Sequence, residues 1–138
     1  MAFLLDTSIA VDLRDERGVI LDRIAALSGP YAFSLITVVE LEGGVAANPT
    51  LRERRREAVN RLLARTIVLP FDEEIVNAYR FMLTAIGFSR SRILDRLIAA
   101  TALVHDLTLI TINGPDFRDI PDLKLEVWPS PISSPATP

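Results

Sequence analysis

Four acidic residues stand out by where they fall. Asp6 ends the apolar run Phe3-Leu4-Leu5 in FLLDTSIAVDL, Glu40 lies inside SLITVVELEGG, Asp95 opens the apolar segment RILDRLIAATALVHD, and Asp116 follows TLITIN in TLITINGPDF. Most of their neighbours are apolar or small, and an unpartnered carboxylate is costly to bury there. If the four meet in space they repel one another, and some must take up protons. A hard divalent cation removes that conflict. The chain has no Cys and a single His, which argues against a nitrogen or sulfur metal site. An all-oxygen site suits Mg2+ or Mn2+, which keep several coordinated waters. Such an ion polarises a phosphate and lowers the pKa of a bound water. It also lets an acidic protein handle an acidic polymer, by bridging carboxylates and phosphodiester.

Each acid has a plainer structural reading. Asp6 caps the next helix, and taken alone that reading is favoured. Asp95 is an N-cap or a first-turn acid stabilised by the helix dipole. Asp116 is a turn residue beside Gly114-Pro115. Glu40 is the hardest to explain this way. Glu42 competes for the same role, but two residues along a helix is about 200° around its axis, so the two cannot face one site. Glu40 shares its face with Ile36, Gly43 and Gly44, and the glycines permit close approach, which leans the choice to Glu40.

The elements that would position these acids follow from the pattern. A chain of 138 residues suits one domain, and it buries roughly two-thirds of its unfolded surface without disulfide or metal. Hydrophobic residues make up 49%, too many for disorder. The absence of Cys excludes a disulfide scaffold and fits a reducing, cytoplasmic setting. Asp6 interrupts the first apolar run and no basic region precedes it, so no signal peptide is expected. No stretch approaches the ~18 apolar residues of a membrane span. Strands are predicted at 2–5, 31–35, 67–69, 107–112 and, weakly, 125–128. Helices are predicted at 8–13, 18–28, 37–47, 51–65, 72–86 with Asp72 as N-cap, and 93–105, the last apolar nearly all round. Short unalternating strands, alternating with helices and lacking hairpin signals, predict an α/β fold with a parallel sheet flanked by helices. Residues 1–129 are expected to form the domain and 130–138 a disordered Pro/Ser-rich tail. In open parallel sheets ligands gather beyond the C-terminal strand ends, where Asp6 and Asp116 fall.

Charge is uneven. The net is −3, yet residues 51–65 hold six Arg and two Glu, and fourteen of the fifteen basic residues are Arg. The planar guanidinium suits phosphate better than an ammonium does. The 51–65 helix could guide RNA, although a solvated face laced with pairs such as Glu57–Arg61 is favoured. Arg90, Arg92 and Arg96 around Asp95 either bind RNA phosphate or pair with surface acids. His105 is a helix-end partner rather than a general base. Asp12, Arg14 and Asp15 belong to a solvated or interface helix. Phe117 and Trp128 are core residues.

The segments LLDTS, SLITVVELEGG, LDRLIAATAL and TLITINGPDF occur in this order over residues 4–117. Together they resemble the PIN-domain nucleases, in particular the VapC-type toxins of toxin–antitoxin pairs. The resemblance implies a Rossmann-like sheet that gathers acids around Mg2+ or Mn2+. Motif by motif it places them at Asp6, Glu40, Asp95 and Asp116, with Asp119 close to the last. It implies polar support from Ser8, Thr111 and Asn113. It further implies an endoribonuclease leaving 5′-phosphate and 3′-hydroxyl ends, a homodimer, an RNA substrate and a cognate antitoxin that blocks the site. GFSRSRIL, before Asp95, and Arg96 itself are more basic than is usual in the family. Two rivals remain: a phospho-acceptor or phosphatase-like domain using Asp6, and a non-catalytic binding module with the same fold. The first lacks a second Asp two residues on, where Ser8 stands, and its one lysine, Lys124, is poorly placed.

Overall fold

A computed structural model describes residues 3–131. In chain order the elements are β1 (Phe3–Leu5), α1 (Thr7–Arg14), α2 (Gly18–Ala25), β2 (Tyr31–Ser34), α3 (Leu35–Ala47), α4 (Arg52–Ala64), β3 (Ile67–Leu69), α5 (Glu73–Ile86), α6 (Ile93–Val104), β4 (Thr108–Thr111) and β5 (Leu125–Val127). Short 3-10 turns occupy Arg90–Arg92 and Gly114–Asp116. All five strands run parallel in the order β3-β2-β1-β4-β5. The expected parallel α/β architecture is therefore present.

The central strand shows why the runs do not alternate. Leu4 and Leu5 are both fully buried but point to opposite faces, because strand side chains alternate and helices cover both sides. Leu5 packs with Ile9, Leu13, Ile20, Leu41, Val59 and Trp128 on one face. Leu4 packs with Ile75, Met82, Ile98, Leu109 and Phe117 on the other. Trp128 and Phe117 are core residues, as expected.

Local differences from the sequence reading have simple causes. Strand β2 stops at Ser34 rather than Leu35, because the Ser34 hydroxyl accepts the Ile36 N–H at 3.0 Å and starts α3 early. Helix α2 ends at Ala25, short of the expected Ser28. Asp72 caps α5 as expected, accepting from Ile75 N at 3.2 Å. Gly87, at φ 78°, terminates α5. The expected tail lies outside the described residues from Ile132 onward. Among the described residues no helix is long and apolar enough to cross a membrane.

The chain passes from β1 to β2 and β3 on one side, then crosses to β4 on the other side of β1. The C-terminal ends of β1 and β4 thus form the point where the winding reverses, the usual place for a ligand in such sheets.

Candidate active site

Asp6 immediately follows β1 and occupies the N-cap position of α1, yet its side chain makes no capping bond. The capping explanation of this residue therefore fails. Its Oδ2 instead accepts from Ser8 Oγ at 2.8 Å and from Thr111 Oγ1 at 2.7 Å. Asp6 is buried, and Oδ1 has no hydrogen bond among the described residues. Thr111, at the end of β4, is fully buried and also receives the Asn113 N–H at 2.9 Å. Asn113 thus reaches the site through its backbone N–H, and the residue is exposed.

Helix α3 delivers Glu40, whose Oε1 accepts from Thr7 Oγ1 at 2.6 Å. Thr7 also meets Thr37 Oγ1 at 3.0 Å. Thr7 and Thr37 escaped the sequence reading, although Thr37 sits three residues before Glu40 and hence on its helical face. Glu42 points away and pairs with Arg56 of α4, its Oε2 accepting from Nη1 at 2.9 Å. Glu40 and Glu42 therefore face different neighbours, α1 and α4, as their helical spacing predicts.

Asp95 occupies the first turn of α6, where the helix dipole favours its charged form. Other effects win. Half-burial, followed by the negative charges of Asp6, Asp116 and Glu40, pushes its pKa up to about 6, and Arg92 opposes this only weakly. Four carboxylates far apart in sequence therefore share one field. Asp95 itself makes no side-chain hydrogen bond or ion pair among the described residues. Asp116 pairs with Arg92 at 3.1 Å. Asp119 is not among the charges acting on Asp95; it is exposed and faces Arg96 at 3.8 Å. Of the two candidates in that loop, Asp116 is the one that joins the cluster.

Several expectations need correction. Arg96 is not an RNA-binding side chain. It is 3% exposed, and its Nη1 donates to the Gly87 carbonyl at 2.6 Å, tying α6 to the end of α5. Arg92 pairs with Asp116 and Arg96 faces Asp119, the surface-acid alternative for both, and Arg90 alone of the three is exposed. Asp12 and Arg14 are buried, not solvated: Arg14 Nε donates to Asp15 at 2.9 Å, and Arg17 lies 3.4 Å from Asp12. His105, by contrast, ends α6 as expected and lines a cavity with Phe3 and Tyr31 at the start of β1 and β2, whereas Asp6 follows the far end of β1. The phospho-acceptor rival lacks its lysine, since Lys124 is exposed and pairs with Asp106 at 2.8 Å.

The donor set is all oxygen. Among the described residues no three Asp, Glu or His side chains form a ready-made ion cage.

The PIN domain pattern matches residues 3–123. This chain belongs to the PIN-domain family. Ribonuclease VapC1 of Rickettsia felis is 32% identical over 129 residues, spanning 91% of this chain and 95% of that protein. Ribonuclease VapC10 of Mycobacterium tuberculosis is 39% identical over 102 residues, 72% of each chain. Among solved structures, VapBC2 from Rickettsia felis bound to a DNA fragment from their promoter superposes with a TM-score of 0.82 at 27% identity, covering 93% of this chain and 99% of that chain. VapBC-1 from nontypeable Haemophilus influenzae gives 0.75 at 30% identity, covering 93% and 98%.

Proposed function

We propose that this PIN domain is a Mg2+- or Mn2+-dependent endoribonuclease and the toxin of a toxin–antitoxin pair. The observation that carries the reading is the convergence of Asp6, Glu40 and Asp116 on Asp95, a half-buried carboxylate with no hydrogen bond or ion pair among the described residues. These four residues would hold the ion. Bound there, a divalent cation supplies charge neutralisation, an activated water and stabilisation of the leaving oxygen in phosphodiester hydrolysis.

The chain's own residues supply the rest. Ser8 and Thr111 fix the Asp6 carboxylate through Oδ2 and leave Oδ1 available. Thr7 fixes Glu40 in the same manner. Arg92 offsets part of the cluster's charge through Asp116 and lies on the site's rim, one-third exposed, where it and Arg90 can meet a substrate phosphate. The names of the relatives support RNA as substrate, and the VapBC complexes among the structural relatives support a cognate antitoxin. A homodimer and a cytoplasmic setting complete the reading.

The test is incubation of the full chain with single-stranded RNA and Mg2+ or Mn2+, with and without chelator. Cleavage that stops on chelation, and is absent in Asp6→Asn and Asp95→Asn proteins that melt cooperatively, is expected. Equal cleavage in chelator, or full activity of both variants, contradicts the proposal.

A further inference from the structure

A second feature lies along the seam between α1 and α3. Thr7 joins the two helices at the acidic end. Arg14 stands two turns further along α1, about 10 Å away by helical rise. There it meets Gly44, one turn beyond Glu40 on α3: a side-chain carbon at Gly44 would lie 3.0 Å from Arg14 Nη1. Arg55 of α4 converges on the same point, its Nη1 donating to the Gly44 carbonyl at 2.8 Å. Beyond this junction opens a cavity of about 530 Å3 lined by Arg14, Arg17, Arg54, Arg55 and Arg61.

Two acids, Asp15 and Glu16, share the lining, which leaves a surplus of positive charge. Asp15 holds Arg14, and Asp12 holds Arg17, so these two guanidinium groups are set in place by ion pairs. Arg61 has only Glu57 at 3.9 Å. Arg54 is exposed and makes no ion pair among the described residues, and Arg55 Nε is buried with no hydrogen-bond partner.

We infer that this cavity is a phosphate-binding exosite for the RNA backbone, engaging nucleotides that neighbour the one at the acidic cluster. The inference rests on the ribonuclease reading and adds how the substrate is held. Without metal, a protein of net charge −3 whose site gathers four acids repels RNA, so a cluster of cations near the site adds attraction that the acids themselves do not supply. The cavity continues the seam that starts at the site. Its cations are all arginine, whose fork matches phosphate. Its only apolar lining is Leu51 and Ala58, too little for the buried anchors on which protein partners rely.

The test is binding of a labelled single-stranded oligoribonucleotide in chelator, followed by fluorescence anisotropy between 50 and 200 mM KCl. Each phosphate contact on a single strand contributes a log–log salt slope of about −0.7. The exposed pair Arg54→Gln/Arg61→Gln should flatten the slope by about 1.4, so the wild type loses about sevenfold more affinity across that range than the variant. Arg54→Lys/Arg61→Lys keeps the slope. Arg80→Gln, at an exposed position of α5 and bonded to Asn77 at 2.7 Å, leaves it unchanged. An unaltered slope in the double glutamine variant, with a native melting transition, overturns the exosite. So does absent RNA binding by the wild type, or loss of affinity for an acidic protein partner with the RNA slope intact. Salt-dependent binding without cleavage in Mg2+ or Mn2+ sinks the nuclease reading and leaves the exosite standing.

Discussion

Replacing Asp95 by Asn should stabilise the metal-free protein while abolishing its activity. Asp95 carries a folded pKa of about 6 against an ordinary 3.8, through burial and then the charges of Asp6, Asp116 and Glu40. Each pKa unit corresponds to about 1.4 kcal/mol, so keeping Asp95 ionised costs at most about 3 kcal/mol. The residue is only half-buried, and solvent screening brings this to about 1–2 kcal/mol. Because the folded value lies above the unfolded one, the folded chain binds the extra proton, and stability falls as pH rises from about 4 to about 6. For a domain of this size the Asn variant should melt roughly 4–8 °C above the wild type at pH 7.5 in chelator. The gap should close below pH 4, where both side chains are neutral. Thermal melts at the two pH values decide it. A variant that melts below the wild type in chelator at pH 7.5 refutes the claim that the cluster is held together against repulsion.

Other predictions follow from neighbouring contacts. Thr111→Val removes a 2.7 Å donor from Asp6 and should weaken Mn2+ affinity by about 10–100-fold, read by calorimetry, and because the same buried hydroxyl accepts the Asn113 N–H it should also cost about 1–3 kcal/mol of stability. Arg96→Ala frees the Gly87 carbonyl and should cost about 2–3 kcal/mol in urea unfolding; a drop in RNA affinity with unchanged stability would instead restore Arg96 as an RNA ligand. Gly87→Ala, at φ 78° and ψ 175°, should destabilise by about 1–3 kcal/mol in the same assay, and a neutral result would remove the strain argument.

The fold was legible where apolar runs are short and bounded by caps. Buried Leu4 and Leu5, facing both ways, are what an unalternating parallel strand looks like. The four acids were legible because a carboxylate in an apolar segment demands a reason, and the order of motifs supplied one. The arginines were not. Arg96 and Arg14 read as surface charges, since sequence alone cannot show that a carbonyl at a helix end, or a glycine on a facing helix, waits for a guanidinium. Thr7 and Thr37 were missed because a threonine beside a cluster differs from any other threonine only once the helices meet. The choice between Asp116 and Asp119 likewise needed the loop, which turns one toward Arg92 and the other toward Arg96.

The central claim is that Asp6, Glu40, Asp95 and Asp116 share one divalent cation. Calorimetric titration of the metal-free chain with Mn2+ at neutral pH tests it most directly. Saturable binding that disappears in both the Asp6→Asn and Asp95→Asn proteins is the predicted result. No heat of binding by the wild type, or undiminished affinity in those variants, contradicts it.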